Sequence, residues 1–406
     1  MNLLVFGGGA AGFFAALSAK SSNPSANVII LEKTAKLLSK VRISGGGRCN
    51  VTHACFQARD LVSFYPRGHR ELLGPFHVFQ PRDTIQWFSE RGVELKVESD
   101  GRMFPVTDSS STIIDCLSRE AEKLGVEIRT QQKIEKLVKD EDGFQCILKD
   151  GETLKADAVI LATGSNKAGH EFAQELGHSI NTPVPSLFTF NIPSFPLVDL
   201  AGASVQKVRV YLEGTKLKEE GPVLITHWGF SGPAVLKLSA WGARELHSRD
   251  YKISVRFDWL ADYSIEDIYQ ILEDEKQNNP SKLLSSIRLF PIPKKLWKRF
   301  LERSDLNPDL RISTLGKKGM RKLCSTLKED RYKMSGKTTH KEEFVTCGGV
   351  KLSEINFKKM ESQKCPGLYF AGELMDIDGV TGGFNFQNAW TSGWIAGRSA
   401  VTSNGT

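Results

Sequence analysis

Hydrophobic and polar positions divide the chain into three kinds of segment. Near the N-terminus, the apolar runs 3–6 and 28–31 predict strands buried on both faces, with a helix over 13–20 between them. Over 202–257, apolar and polar residues alternate between glycine turns, which is typical of a small β domain. Over 264–333, apolar residues recur every three or four positions, which predicts helices.

The stretch between the first two kinds of segment mixes both patterns. It predicts an amphipathic helix over 80–91 and a longer helix capped by residues 108–111, with Ile113, Ile114 and Leu117 on one face. A strand meander should follow, formed by residues 126–129, 134–138, 144–148 and 158–161. The predicted fold class is therefore α/β: a Rossmann-like domain interrupted by a small β domain that itself carries a helical insertion.

Composition shifts suggest where these parts begin and end. Proline residues cluster over 182–196, as expected where the chain leaves the first domain. The predicted layout is a nucleotide-binding domain at 1–190, a β domain at 191–260, a helical insertion at 261–335, a β-domain return at 336–352, and the C-terminal part of the first domain at 353–406.

A glycine motif follows the first predicted strand. Gly7, Gly9 and Gly12 match Gly-x-Gly-x-x-Gly, and the second strand ends on Glu32, twenty positions after Gly12. In a dinucleotide site such glycines permit the turn, the approach of a pyrophosphate and helix–strand packing, while the acid accepts hydrogen bonds from the ribose. We therefore predict a dinucleotide site rather than a βαβ unit without a ligand.

A second glycine cluster lies within residues 42–52. Gly45, Gly46 and Gly47 stand between Arg42 and Arg48. Consecutive glycines can bring backbone N–H groups toward an anion or a flavin ring. The alternative is a flexible surface loop, which would give no reason for the flanking arginines.

The C-terminal segment has a similar arrangement. A predicted strand ends on Gly372 and Glu373, and a loop with Gly382 and Gly383 leads into a helix over 388–400. The acid could reach the ribityl or pyrophosphate region, and the helix N-terminus could stabilise negative charge on a flavin pyrimidine ring. The alternative is an ordinary strand–loop–helix that completes a sheet.

Composition narrows the class of protein. The 406 residues are 40% hydrophobic and 25% charged, without a long polar tract or the roughly 18–20-residue apolar run of a membrane-spanning helix. Seven scattered cysteines without a Cys-x-x-Cys pair predict reduced thiols and no metal site. With no basic leader before the first strand, we expect a cytoplasmic protein without a membrane partner.

The net charge of +7 is concentrated in one segment. Residues 282–341 contain 17 Lys and Arg against 5 Asp and Glu, a net +12, which leaves −5 for the rest of the chain. We interpret these residues as solvated helix faces and favour a small-molecule substrate over nucleic acid, with a groove for phosphate or RNA as the alternative. Few aromatic residues interleave there, such as Trp297, Phe300 and Tyr332, which gives little support for base stacking.

Taken together, the motifs resemble the BaiN and aminoacetone-oxidase family of FAD-dependent oxidoreductases. The matching segments keep their order from end to end, whereas 264–330 matches no motif. They are residues 7–12, 43–50 (Ile-Ser-Gly-Gly-Gly-Arg-Cys-Asn), 101–105, 226–233 (Thr-His-Trp-Gly-Phe-Ser-Gly-Pro), 345–350 and 367–397.

This resemblance implies FAD held between the two ends of the chain. It places the pyrophosphate along 7–12, the adenosine ribose at Glu32, the phosphates and flavin along 44–50, and adenine beside the backbone of Ile134. The implied cofactor-binding residues are Gly7, Gly9, Ala10, Ala11, Gly12, Glu32, Lys33, Arg42, Ser44, Gly45, Gly46, Gly47, Arg48, Cys49, Asn50, Ile134, Ala162, Thr163, Gly164, Gly372, Glu373, Asp378, Gly382, Gly383, Phe384, Asn385 and Gln387.

The sequence leaves the second substrate and the catalytic groups open. No second Gly-x-Gly-x-x-Gly follows residue 12, so either NAD(P)H docks transiently over the flavin or oxygen accepts the electrons. His227 is a candidate proton carrier and Cys49 a candidate redox thiol. We expect an FAD-dependent oxidoreductase acting on a small organic substrate. The alternatives are a flavoprotein with a structural or sensory FAD, and an RNA- or nucleotide-associated flavoprotein that uses residues 282–341.

Overall fold

A computed structural model describes residues 1–338 and 345–402, which form two compact units. The first unit contains residues 1–185 and 345–402, and the second contains residues 186–338. The first unit has the predicted parallel, Rossmann-like sheet, and the chain leaves it to form the second unit before returning. The predicted fold class is confirmed.

The first part of the chain alternates strands and helices. Its elements are β1 (Asn2–Phe6), α1 (Ala10–Ser22), β2 (Asn27–Leu31), α2 (Ser39–Gly47), β3 (Thr52–His53), α3 (Ala58–Val62), α4 (Leu73–Val78), α5 (Pro81–Ser89), β4 (Leu95–Val97), β5 (Arg102–Pro105), α6 (Ser110–Leu124), β6 (Glu127–Arg129), β7 (Ile134–Asp140), β8 (Gly143–Leu148), β9 (Thr153–Ala156), β10 (Ala158–Leu161), α7 (Lys167–Glu175) and β11 (Ile180–Ser186).

The second unit begins with strands and places three helices before its last two strands. Its elements are β12 (Thr189–Asn191), β13 (Ser204–Leu212), β14 (Lys218–Ile225), β15 (Gly229–Ser231), α8 (Pro233–Trp241), α9 (Ala243–Ser248), β16 (Lys252–Asp258), α10 (Ile265–Asn278), α11 (Lys294–Arg303), α12 (Lys317–Lys328), β17 (Asp330–Ser335) and β18 (Lys337–Thr338).

The chain then returns to the first unit. The returning elements are β19 (Val345–Val350), β20 (Ile355–Asn356), β21 (Glu361–Ser362), β22 (Leu368–Phe370) and α13 (Phe384–Thr402). In the two described ranges, every helix is too short or too polar to cross a membrane.

The main sheet of the first unit has the strand order β20-β21-β22-β10-β1-β2-β6. The five strands from β22 to β6 run parallel, and β20 and β21 add an antiparallel edge. β1 and β10 lie at its centre, and their continuous apolar runs are buried, as predicted for strands covered on both faces. This order brings the carboxyl ends of β1, β2 and β10 together at one edge.

The first and last helices of this unit pack closely. A Cβ on Gly397 would lie 2.0 Å from the carbonyl oxygen of Ala15, and one on Gly393 would lie 2.5 Å from that of Ala11. Both positions therefore need glycine to let α13 approach the backbone of α1. The glycines of the C-terminal helix therefore permit its tight packing on α1.

A buried polar cluster ties the antiparallel edge of the main sheet to the segment before β11. The two ring nitrogens of His178 lie 3.1 Å from a carboxylate oxygen of Glu354 and 2.8 Å from the hydroxyl of Ser362. Lys364 pairs with the other Glu354 oxygen (2.8 Å). The Ser362 hydroxyl also accepts N–H groups from Lys364 and Cys365, so its proton is free to point at His178.

The second unit has an antiparallel sheet in the order β17-β16-β13-β14-β15-β12-β18. Only Gly336 separates β17 at one edge from β18 at the other. The two edges must therefore meet, and the sheet closes on itself. Helices α10–α12 lie between β16 and β17 in the chain, and their apolar faces join the strands in one core that includes Trp259, Phe300 and Leu323.

Three parts of the predicted organisation differ from the structure. Residues 330–335, assigned to the helical insertion, form strand β17 of the closed sheet. Residues 345–350, assigned to the returning β domain, pair with β11 and belong to the first unit. Residues 126–129 and 158–161 join the main sheet, so that the meander consists of β7, β8 and β9. Alternation identifies a strand but does not specify its partner.

Candidate cofactor site

The first glycine turn is fixed by contacts with neighbouring strands. Gly7 has φ +109°, and its N–H donates to the carbonyl of Leu31 at the end of β2 (2.9 Å). A Cβ on Gly12 would lie 1.9 Å from the Gly7 carbonyl oxygen, and one on Gly7 would lie 2.6 Å from that of Ala162. Because backbone atoms cannot give way to a methyl group, both positions require glycine.

The N-terminus of α1 opens onto free space. Gly9 precedes the helix, no side chain caps it, and a Cβ on Gly9 would meet no atom within 4 Å. The first N–H groups of a helix have no partner within it and carry its positive partial charge. This terminus, with Ala10 and Ala11 in its first turn, can therefore bind a phosphate group.

The acid that follows β2 ties this turn to the next segment. One carboxylate oxygen of Glu32 accepts the Gly8 N–H (2.9 Å), and the other accepts the N–H and hydroxyl of Thr34 (both 2.9 Å). The Glu32 carbonyl accepts the N–H of Gln132, two residues before Ile134 begins β7. The oxygen that accepts the Gly8 N–H retains acceptor capacity, so Glu32 can also accept a hydrogen bond from a ribose hydroxyl.

The end of β10 lies beside the same turn. The N–H of Ala162 donates to the carbonyl of Phe6 (2.9 Å), and Gly164 continues with φ +60°. The Oγ1 of Thr163 is buried without a hydrogen-bond partner in residues 1–338 and 345–402. Since buried polar atoms are nearly always paired, this atom is suited to contact a bound group.

Helix α2 ends in a left-handed glycine run. Ser44 has extended backbone (ψ 147°), and Gly45, Gly46 and Gly47 have φ values of 59°, 71° and 85°. A Cβ on Gly46 or Gly47 would meet no atom within 4 Å, whereas one on Gly45 would lie 2.8 Å from the ring of Phe104. The run therefore has one packed end and one open end, where backbone N–H groups can approach a ligand.

The two arginines beside this run have different surroundings. Arg48 stacks on the ring of Phe104 (3.9 Å) and pairs with Glu98 (2.6 Å). Arg42 has an exposed side chain, while its carbonyl accepts the hydroxyl of Ser110 (2.8 Å). Arg48 thus shapes the loop, whereas the Arg42 guanidinium faces solvent.

Cys49 and Asn50 lie inside the unit. The Cys49 thiol is fully buried, and burial raises its pKa to about 12, so that it is protonated at neutral pH. A thiol without thiolate character is a poor redox nucleophile. The side-chain amide of Asn50 accepts the N–H of Gly383 (3.0 Å), which joins the second glycine run to the start of α13.

Glu373 connects three distant segments. One carboxylate oxygen accepts the N–H of Thr346 (2.9 Å), and the other pairs with Lys40 of α2. The preceding Gly372 has φ +73°, and its N–H donates to the hydroxyl of Ser392 in α13 (2.9 Å). The C-terminal strand end is thereby fastened to both α2 and α13.

The loop before α13 is held by its own polar residues. Asp378 is completely buried and forms a two-pronged salt bridge with Arg67. The Asn385 amide makes two hydrogen bonds to the backbone of Gly379 (2.8 and 2.9 Å). These two predicted cofactor residues therefore fix the shape of the loop through their side chains.

The first turn of α13 is equally engaged. Gly383 has φ +92°, and a Cβ there would lie 2.6 Å from the Thr52 carbonyl oxygen. The buried Gln387 accepts hydroxyls from Thr52 and Thr84 (2.6 and 2.9 Å) and donates to Thr391 (3.0 Å). Its side-chain amide is thus used within the protein.

Four contributors to this region were not predicted from the sequence. They are Lys40, Arg67, and the rings of His53 and Phe64, which stack on Phe384 with centroid separations of 4.7 and 4.3 Å. Each acts on a residue more than 300 positions away, so no local spacing could have identified them.

The predicted residues fit a dinucleotide. Some of them border the space for it, and the side chains of others hold the surrounding loops. The backbone at the α1 terminus and at Gly46 and Gly47 borders open space, and the buried side-chain oxygens of Thr163 and Asn388 have no hydrogen-bond partner within the described ranges. The side chains of Arg48, Asp378, Asn385 and Gln387 hold the surrounding loops, and Lys33 is exposed. Bound FAD would therefore be held mainly by backbone, with Glu32 at a ribose.

His227 is not among the residues that the first unit brings together. It lies in the second unit, in an exposed turn between β14 and β15 beside Trp228. The structure shows no hydrogen bond between the His227 ring and another described residue that would orient it for proton transfer.

Comparison with known proteins agrees with this architecture. The family model described as HI0933-like protein Rossmann domain matches residues 1–399. The ribosomal RNA dihydrouridine synthase of Escherichia coli K12 is 30% identical over 413 residues, covering 98% of both chains. The 3-dehydro-bile acid delta(4,6)-reductase of Clostridium scindens is 30% identical over 407 residues, also covering 98% of both chains.

A solved structure shares the fold. It is the 3-ketosteroid-delta4-(5alpha)-dehydrogenase of Rhodococcus jostii RHA1, with a TM-score of 0.52 at 16% identity, covering 98% of this chain and 96% of that one. The family resemblance drawn from the motifs is confirmed by the whole-length match. The chain belongs to the HI0933-like Rossmann family and is an FAD-dependent oxidoreductase.

Proposed function

We propose that this protein reduces a uridine of ribosomal RNA to dihydrouridine, with NAD(P)H as the electron source. In the overall reaction the C5=C6 bond of uracil becomes a single bond, one carbon receives a hydride and the other a proton, and NAD(P)H is oxidised to NAD(P)⁺. Bound FAD, once NAD(P)H has reduced it, would supply the hydride to the electron-poor carbon, which is electrophilic because the double bond is conjugated to a carbonyl.

This chemistry is common to the two relatives of similar identity. Dihydrouridine is uridine with one C=C bond saturated, and a delta(4,6)-reductase is named for its action on ring double bonds. Both names describe reduction of C=C bonds, so they support a reductase over an oxidase. They differ in whether the substrate is a polyanion or a small sterol-like acid.

The exposed charge of the second unit favours the polyanion. Nine basic side chains between residues 282 and 338 are exposed and have no ion pair with another described residue. They are Arg288, Lys294, Lys295, Lys298, Arg311, Lys317, Lys318, Arg321 and Lys333. Other basic residues of the segment do pair with carboxylates, as Arg303 does with Asp330 and Lys328 with Asp258. A small ligand gives no reason for so many free cations, whereas RNA phosphates do.

Helix stability does not explain these residues either. Helix α11 begins with Lys294 and Lys295, and α12 begins with Lys317 and Lys318, while neither has an acidic residue in its first turn. Cations at the positive end of a helix are unfavourable by about 0.3–1 kcal/mol each. Two helices with the same unfavourable start support a role in binding an anion.

In the first unit, the proposed roles follow the geometry of the cofactor site. The α1 terminus would bind the pyrophosphate, Glu32 the adenosine ribose, and Gly46 and Gly47 the flavin side. The salt bridges of Arg67 and Lys40 would keep the C-terminal loop and strand end in place around the cofactor.

The test compares ribosomal RNA from a strain lacking the gene with RNA from a complemented strain. We expect nucleoside mass spectrometry to show loss of one dihydrouridine in the deletion strain and its return on complementation. The purified flavoprotein with NADH or NADPH should restore it in deletion-strain RNA.

A parallel reaction offers a 3-oxo-Δ4,6 bile acid as the small-molecule substrate. Reduction of the bile acid together with unchanged dihydrouridine in the deletion strain would replace the RNA proposal with a sterol-type reductase. An FAD that neither NADH nor NADPH reduces, with unchanged dihydrouridine, would favour a structural or sensory flavin.

A further inference from the structure

The second unit has a surface cleft beside the turn that carries His227. Its volume is about 440 Å³, and its walls include Asn191, Pro193, Val198, Trp228 and Ser335. None of the residues lining it is acidic or basic apart from the imidazole of His227. The cleft therefore offers an aromatic face, apolar contacts and neutral hydrogen-bonding groups.

Trp228 is exposed although its backbone is firmly held. Its side chain is 63% exposed, yet its carbonyl accepts the N–H of Ile192 (2.8 Å) and its N–H donates to the hydroxyl of Thr226 (3.3 Å). The next residue, Gly229, packs so closely that a Cβ would lie 2.2 Å from the carbonyl oxygen of Phe190. An indole held out on a rigid turn is a preformed stacking surface.

Helix α11 is fastened to one wall of this cleft. The Arg299 guanidinium donates to the carbonyl of Pro196 and pairs with Asp199 (2.8 Å), and these residues flank the wall residue Val198. Lys295 lies one helical turn before Arg299 on the same face, and both it and Lys298 are exposed without an ion pair to a described residue. Free positive charge thus adjoins the cleft on the α11 side.

Another cation lies on strand β17, which contributes Ser335 to the lining. Strand β17 alternates buried and exposed residues, so Ser335 and Lys333 lie on the same face. Lys333 is exposed and forms no ion pair with the described part of the chain. Two of the elements that adjoin or line this uncharged aromatic cleft, α11 and β17, therefore carry free cations.

We propose that this cleft binds one nucleotide of a single-stranded or looped RNA segment, with its base stacked on Trp228 and the adjoining phosphates at Lys295, Lys298 and Lys333. The inference rests on the proposed function, because it identifies how the second unit holds the RNA substrate. Asn191 adds an amide N–H₂ group that has no hydrogen-bond partner among the described residues and can donate to a base.

The charge pattern is what selects RNA over a hydrophobic partner. A protein partner with an apolar knob would fill the cleft but would leave the three lysines without counter-charges. Stacking on an aromatic face combined with backbone neutralisation is the usual way in which proteins bind single-stranded nucleic acid.

The experiment measures binding of a fluorescein-labelled 12-nucleotide RNA to the intact flavoprotein by anisotropy at several salt concentrations. We expect Trp228→Ala to weaken binding about 10-fold or more with little change in the salt slope, because stacking is not ionic. Lys295→Glu/Lys298→Glu should make the negative slope of log K against log [salt] shallower by about 1.4, since each lost single-strand phosphate contact removes about 0.7.

Two matched variants serve as controls in the same unit. Trp241→Ala removes another partly exposed indole (38%) at the end of α8, and Lys216→Glu reverses an exposed charge in the β13–β14 turn. Both should bind RNA like the unmodified protein. Flavin absorbance and thermal unfolding verify that each variant is folded.

The outcomes separate this inference from the proposed function. If the protein forms dihydrouridine while Trp228→Ala binds RNA as tightly as Trp241→Ala, the cleft is not the RNA site, but the proposed reduction of uridine is supported. If Trp228→Ala loses RNA binding but the deletion strain keeps its dihydrouridine, the cleft is an RNA site and the proposed reaction is wrong. An equal loss of RNA binding in Trp241→Ala would also contradict the assignment of the cleft as the RNA site.

Discussion

Several charged side chains in the cofactor region of the first unit pair with one another, whereas many on the helices of the second unit stay free. Around the glycine turns, Arg48 pairs with Glu98, Arg67 with Asp378 and Lys40 with Glu373. On α11 and α12, both starting lysine pairs point into solvent without carboxylate partners in the described ranges. The two units therefore use charge for different purposes.

The difference reflects two ways of binding an anion. Where a ligand is enclosed, backbone N–H groups and a helix terminus can neutralise it, and side-chain charges are free to lock the surrounding loops. Where a long polyanion lies along a surface, the protein needs free cations, because affinity comes from displacing counterions. We accordingly expect flavin binding to be insensitive to salt and RNA binding to depend on it strongly.

The largest expected effect concerns the cofactor site of the first unit, where the ligand would be enclosed. Gly12→Ala should destabilise the protein by about 3 kcal/mol or more and abolish flavin retention, because its Cβ would meet the Gly7 carbonyl oxygen at 1.9 Å. Gly9→Ala should change the free energy of unfolding by less than about 0.5 kcal/mol, since its Cβ meets nothing. It should nevertheless weaken FAD binding about 10-fold by filling the space that the phosphates need.

Flavin fluorescence titration of the apoprotein and urea unfolding measure the two quantities. Gly9→Ala with unchanged FAD affinity would show that the pyrophosphate does not lie at the α1 terminus. Full stability of Gly12→Ala would contradict the close packing of this turn.

A smaller effect is expected from pH, and it should arise in the first unit. Burial lowers the pKa of His178 below its usual 6.5. Although burial opposes it, Lys364 and the Ser179 N–H lower the pKa of Glu354 from 4.5 to about 2. In both cases the unfolded chain binds the proton more readily, so stability falls on acidification, first below pH 6.5 and then between 4.5 and 2.

Urea unfolding between pH 7 and pH 3 measures this dependence. We expect the paired Glu354 carboxylate to contribute on the order of 1–2 kcal/mol at pH 7 that is lost at low pH. Glu354→Gln should flatten the acidic part of the curve, whereas Glu361→Gln, on the same edge of the sheet, should leave it unchanged. An identical acid dependence in Glu354→Gln would rule out this cluster as its source.

The smallest expected effect concerns the exposed lysines of the second unit. Lys317→Glu/Lys318→Glu should stabilise the protein by about 0.3–1 kcal/mol per residue, because acids at a helix N-terminus are favourable. The same variant should bind RNA more weakly at low salt. A gain in stability together with a loss of binding would show that these lysines are kept at the expense of the helix. A loss of stability would mean that they support the fold.

Sequence patterns predicted the first unit in most of its detail. The strand ends, the α1 turn and the C-terminal helix are local features, because the apolar runs and glycines that define them lie within about 30 residues of one another. Long-range partners could not be predicted from local patterns. Nothing near Arg67 indicates that it meets Asp378, and nothing near residues 345–350 indicates that they pair with β11. Several predicted cofactor side chains, including Gln387, are engaged within the protein.

For the second unit, the sequence located the charge but did not identify the exposed aromatic residue. Trp297, Phe300 and Tyr332 are interleaved with the lysines, yet all three are buried in the core. The exposed indole belongs to Trp228, nearly 70 residues earlier in the chain. Helical periodicity buries Trp297 and Phe300, whereas the exposure of Trp228 depends on a turn whose geometry requires Gly229.

The close packing of α1 against α13 has a consequence for how the chain is made. The second unit is continuous in sequence and can fold as soon as residues 186–338 have been synthesised. The first unit must wait, because α13 covers a helix that was translated more than 360 residues earlier. During synthesis the exposed apolar surface of α1 is a target for chaperones. Flavin should therefore load late, after translation of α13.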